Sequence, residues 1–149
     1  MSELNPVEMI FKLVMALKKS AKPKVEDTKK VECLSPMHVQ VLKLIGAKNE
    51  ITANQISVDL MRDKAQVTRL LNTLTDEGLV TKKPNPNDKR SQLIICTDTG
   101  WALYQRVTEI DRYILEQLSE GLTQEELWEF QRLAEKMLVN LEFLSEKSG

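Results

Sequence analysis

Apolar positions along the 149-residue chain recur at helical spacing over most of its length. Val7, Ile10, Val14 and Leu17 step by three and four and predict one stripe on a helix over about 5–20. Residues 18–32 (KKSAKPKVEDTKKVE) are charged and contain Pro23, so their early part reads as a solvated loop. Ser35-Pro36 is a helix start, a capping hydroxyl followed by proline at the first helical position. Val39, Leu42 and Ile45 carry that helix to Gly46 or shortly after. Thr52 caps a short helix to about Leu60 with Ile56 facing inward, and Met61-Arg62 makes a turn. Asp63 caps the next helix, with Gln66 three residues on in a capping-box-like pair. Val67, Leu70, Leu71 and Leu74 form its buried face, and Gly78 stops it.

The period then changes. Leu79–Lys83 and Gln92–Thr97 are rich in Val, Ile, Leu and Thr, and the PNPND segment between them supplies turn residues, so the pair predicts a hairpin with a long tip. Asp98 or Thr99 caps a long helix to about Leu118, striped by Leu103, Val107, Ile110, Ile114 and Leu118. Gly121 breaks it. Thr123 with Glu126 forms a capping box and opens the last helix, to about Leu144. Its apolar positions, Leu127, Phe130, Ala134, Met137, Leu141 and Leu144, alternate steps of three and four in a narrow heptad-like seam. Such a seam needs a partner, either this chain's own first and fifth helices or a second subunit. A dimer is the expectation, because no further sheet is left to cover the terminal helices.

Composition narrows the class. At 42% hydrophobic and 29% charged the chain reads as globular rather than disordered. No apolar run approaches the roughly 20 residues of a membrane span, and the N-terminus lacks a secretory signal, so a cytoplasmic location with no membrane partner is expected. The near-neutral net charge of −1 conceals a segregation. Residues 62–96 hold seven Lys/Arg against four Asp/Glu, while 97–149 hold five against eleven. The local basic excess suits a nucleic-acid partner. Cys33 and Cys96 lack metal-ligand spacing and read as reduced, packed thiols, with redox sensing at Cys33 as the minority reading.

Enzyme chemistry finds no constellation. The single histidine, His38, has no orienting partner in the sequence, and no glycine-rich phosphate loop or metal-ligand cluster is present. No catalytic residue, metal or cofactor is expected. The 63–77 helix offers more. Its far side and N-terminal flanks present Lys64, Ala65, Gln66, Thr68, Arg69 and Thr73. Gln66 can pair with adenine, Arg69 can meet guanine or a phosphate, and small Ala65 permits close approach. Alone, this could be any amphipathic helix with a solvated face. The hairpin tip decides between the two, because it carries Asp88, Lys89 and Arg90. An arginine there can enter a narrow minor groove, and Asp88 can hold its guanidinium through charge-assisted hydrogen bonds. Lys82, Lys83 and Lys89 can meet phosphates on either side. The reading is a mostly α fold with a small β-hairpin wing, a winged helix-turn-helix plus a helical dimerisation domain. Its expected parts are 1–34 (N-terminal helix and linker), 35–97 (winged domain) and 98–149 (C-terminal helices).

The segment Thr52–Gly100 resembles the MarR family of transcriptional regulators. The resemblance rests on VTRLLNTLTDEGLV, then KPNPNDKR, then a strand ending in T-x-T-G. Asp88 and Arg90 supply the family's D-x-R wing element. Thr75, Ile56-Ser57 and Cys96 depart from frequent family residues at positions away from the expected DNA surface. The resemblance implies a homodimer joined through its N- and C-terminal helices. It implies recognition helices in successive major grooves about 10 bp apart on a pseudo-palindrome. It also implies repression by promoter occlusion, and release by a small anionic or phenolic effector bound between the dimerisation and winged domains. The rival readings are a winged helix serving only as a protein-interaction module and a thiol-oxidation-sensing repressor.

Overall fold

The computed structural model describes residues 3, 5–25 and 34–148. The elements in chain order are α1 (Pro6–Val25), α2 (Pro36–Lys48), β1 (Ile51–Thr52), α3 (Ala53–Leu60), α4 (Lys64–Asp76), β2 (Val80–Pro84), β3 (Gln92–Cys96), α5 (Asp98–Leu118) and α6 (Gln124–Ser148). They fall into two compact units, Met1–Arg112 and Tyr113–Gly149. No helix among the described residues is long and apolar enough to cross a membrane.

Side chains make the helix starts. Asn5 accepts the Val7 N–H at 3.0 Å to open α1. Ser35 caps α2, and His38 closes the box by accepting the Ser35 N–H on Nδ1 at 3.0 Å. The lone histidine is therefore a local capping group. Thr52 and Gln55 exchange the same pair of bonds at the start of α3, and Thr123 and Glu126 do so at α6. At α4 only half of the expected pair forms: Asp63 accepts the Gln66 N–H at 2.8 Å, and the Gln66 side chain does not reach back.

Two boundaries differ from the sequence reading, the end of α1 and the cap of α5. Helix α1 runs through Pro23 to Val25 where a loop was expected from 18 onward. A proline so close to a helix end removes only one late hydrogen bond. Helix α2 ends at Lys48, shortly after Gly46 as the sequence reading allowed. Gly46 is there for packing: a Cβ on it would lie 2.3 Å from the Tyr104 ring of α5. Helix α5 is capped by Thr97, one position before the expected residues. Thr97 Oγ1 accepts the Gly100 N–H at 3.1 Å while donating to the Gly78 carbonyl at 2.6 Å.

The sheet also exceeds expectation. Its order is β1-β3-β2, all antiparallel, so a third, two-residue strand joins the predicted hairpin. Ile51 pairs with Ile94 and Thr52 with Leu93, which seats β3 between the wing's outer strand and the root of α3. Helix α4 ends as predicted. Gly78 takes φ +71°, and the Leu79 and Gly78 N–H groups return to the Leu74 and Thr75 carbonyls, a Schellman closure. The core gathers Leu42 and Ile45 of α2, Ile56 of α3, Val67, Leu71 and Leu74 of α4, Leu79, Ile94, and Leu103 and Val107 of α5. The Lys43–Asp111 ion pair, 2.5 Å, adds a polar tie between α2 and α5.

The terminal helices keep their apolar stripes in solvent in the single chain. Val7, Ile10, Val14 and Leu17 of α1 are all exposed, as are Phe130, Met137, Leu141 and Leu144 of α6.

Candidate nucleic-acid interface

Helix α4 buries Val67, Leu71 and Leu74 and turns its other faces outward. Along those faces Lys64, Ala65, Thr68 and Arg69 are exposed, and Gln66 and Thr73 are half-buried. The threonine hydroxyls bend back to the helix: Thr68 donates to the Lys64 carbonyl at 2.8 Å and Thr73 to that of Arg69 at 3.3 Å. Their protons are engaged, and their oxygens remain free to accept.

The wing tip is a folded structure, built from short polar residues because they can accept backbone N–H groups two positions on. Asn85 accepts the Asn87 N–H at 3.0 Å, and Asp88 accepts the Arg90 N–H at 2.9 Å. The Asn85 amide closes the loop by donating to Ser91 Oγ at 3.0 Å. This corrects one expectation. Asp88 holds the backbone of Arg90, not its guanidinium, so it positions the arginine by shaping the turn. Asp88, Lys89 and Arg90 are all exposed at this tip. A second correction concerns Lys83, which pairs with Glu50 at 2.5 Å instead of standing as an unpaired cation for a phosphate.

Two clefts flank α4 and divide the expected residues between them. The first, about 400 Å³, lies between α3, α4 and the wing; Lys64 and Thr68 of α4 meet Lys82 and Arg90 of the hairpin there. The second, about 350 Å³, lies on the α2 side and gathers Gln66, Arg69 and Thr73 with Arg62 and His38. Ala65 lines neither cleft, and neither do Asp88 and Lys89. Sequence reasoning missed the contribution of α3. Thr52, Asn54 and Ser57 line the first cleft, as do Asn72 of α4 and Gln92 at the start of β3. The polar spacing of Asn54 and Ser57 on a short helix was the available signal. No group of three or more His, Cys, Asp or Glu side chains arranged for a metal occurs among the described residues.

Cys33 lies outside the described residues. Cys96 is half-buried at the end of β3, beside a small cleft of about 210 Å³ that also touches Gly46 and Trp101. Burial pushes its thiol above the ordinary value, which disfavours the reactive thiolate.

A short helix and a second, outward-facing helix, followed by a hairpin whose arginine-bearing tip shares a cleft with that second helix, define a winged helix-turn-helix protein. The chain belongs to the MarR family. The MarR family model matches residues 34–91. The multiple antibiotic resistance protein MarR of Escherichia coli is 31% identical over 113 residues, covering 72% of this chain and 78% of that protein. The transcriptional repressor IacR of Pseudomonas putida is 26% identical over 105 residues, covering 70% of this chain and 63% of IacR. Among solved structures, a cysteine-to-serine mutant of E. coli MarR complexed with operator DNA superposes with a TM-score of 0.64 at 26% identity, over 92% of this chain and 99% of that one.

Proposed function

We propose that this protein is a sequence-specific DNA-binding transcriptional regulator. It acts as a homodimeric repressor on a pseudo-palindromic operator and is released by a small anionic or phenolic ligand. The observation that carries the reading is the first cleft, where cations of the reading helix and of the wing face one concave surface. A helix beside a basic hairpin matches the two contacts such a domain makes, one to base edges and one to the neighbouring groove. The named relatives bear on it too: one is a repressor, and the other has been crystallised as a mutant on operator DNA. Lys64, Ala65, Gln66, Thr68, Arg69 and Thr73 serve as the helix contacts, and Asp88, Lys89 and Arg90 as the wing. Residues 1–34 and 98–149 form the dimerisation region, consistent with the exposed apolar stripes of α1 and α6.

The test is an operator titration at fixed salt. Arg90→Ala is expected to weaken binding by about 1–3 kcal/mol, the worth of one good groove contact. Unchanged affinity would remove the wing from the interface. In the same assay, an aromatic acid added to the preformed complex should lower the bound fraction, and no effect across such acids would refute ligand release.

A further inference from the structure

We propose that the two clefts beside α4 seat the two phosphodiester strands bordering one major groove, and that Arg62 is a backbone-phosphate contact on the α2 side. This rests on the DNA-binding reading above. An α-helix with its side chains is about 10–12 Å across, and the major groove is about 12 Å wide. A helix that fills the groove therefore needs recesses on both sides for the phosphate ridges. Helix α4 has both, of about 400 and 350 Å³.

The lining charges fit polyanions on each side. Lys64, Lys82 and Arg90 are the charged residues of the first cleft, and Arg62 and Arg69 are those of the second, beside His38. Neither lining includes a carboxylate. None of these five cations has an ion pair among the described residues, in contrast to Lys43 and Lys83. Arg62 is also well placed by its backbone. Met61 turns the chain with φ +51°, and the Arg62 N–H is held by the Ser57 carbonyl at 3.0 Å. It sits at the entrance of α4, off the ridge marked by Ala65. A phosphate contact at the rim adds affinity on any sequence, whereas a ridge contact discriminates bases.

The test compares wild type, Arg62→Ala and Arg62→Lys on an operator fragment and on a random fragment of equal length, across a salt series. Arg62→Ala should weaken both complexes by the same factor and lower the log–log salt slope by about one, the signature of one lost phosphate contact. Arg62→Lys should restore the slope. An unchanged slope overturns the proposal, and so does a loss confined to the operator. If Arg62→Ala melts early, Arg62→Gln reads the same slope on a folded chain. Wild type that binds neither fragment would instead refute the DNA-binding reading itself.

Discussion

Thr97 joins three parts of the chain through one hydroxyl, which caps α5 and binds the carbonyl of Gly78 just past α4. Thr97→Val keeps the shape and removes both bonds. It should cost about 1–3 kcal/mol, read as a lower urea midpoint at unchanged slope. The cap was hidden in the sequence because Thr97, Asp98 and Thr99 are three good capping residues in a row. Propensity does not choose among them; the distant Gly78 carbonyl does. The packing reason for Gly46 was hidden in a related way, since the Tyr104 ring that requires it lies on another helix. The exposed place of Arg90 at the hairpin tip, in contrast, was legible from local turn chemistry alone. Cys96 makes the pH prediction at this scale. Burial raises its thiol above the ordinary value, so the folded chain keeps that proton further into alkali than the unfolded chain does. This contribution is complete below the unfolded thiol's value, about 8.5, and is lost as pH rises through the folded one. The urea midpoint should therefore fall in the alkaline range, and less steeply in Cys96→Ala.

Among the elements, the wing and the reading helix were the most readable, because each is specified by contiguous residues: caps, an apolar face, a glycine stop and a polar tip. The two-residue β1 carries no periodicity and became visible only through its pairing with β3. The wing tip yields a sharp prediction. Because Asp88 accepts the Arg90 backbone N–H at 2.9 Å, an amide oxygen at that position can do the same work. Asp88→Asn should bind the operator about as well as wild type, whereas Asp88→Ala should weaken it by about 0.5–1.5 kcal/mol, the net worth of one hydrogen bond. A fluorescence-anisotropy titration separates the two. If Asp88→Asn were as weak as Asp88→Ala, the carboxylate's charge and not the turn would be responsible.

At the scale of the whole molecule, the seam of α6 is the feature to test. Phe130, Met137, Leu141 and Leu144 stand in solvent in a single chain, an arrangement that favours a second copy. Leu141→Asp should yield a monomer in analytical ultracentrifugation and abolish the concentration dependence of the thermal midpoint expected of a dimer. A dimer that persisted in Leu141→Asp would move the interface elsewhere.

Strand β3 binds β1 on one edge and β2 on the other, and Thr52 belongs both to that sheet and to the start of α3. Wing and helices are thus tied through one sheet, which sets the distance from the arginine tip to the reading helix like a ruler. Each copy measures its half-site with that ruler unchanged. On the proposed ligand-released reading, an effector that leaves this sheet intact acts on the gap between two rulers. Operators altered within a half-site should then be rejected with or without effector, while those altered only in half-site spacing should respond to it.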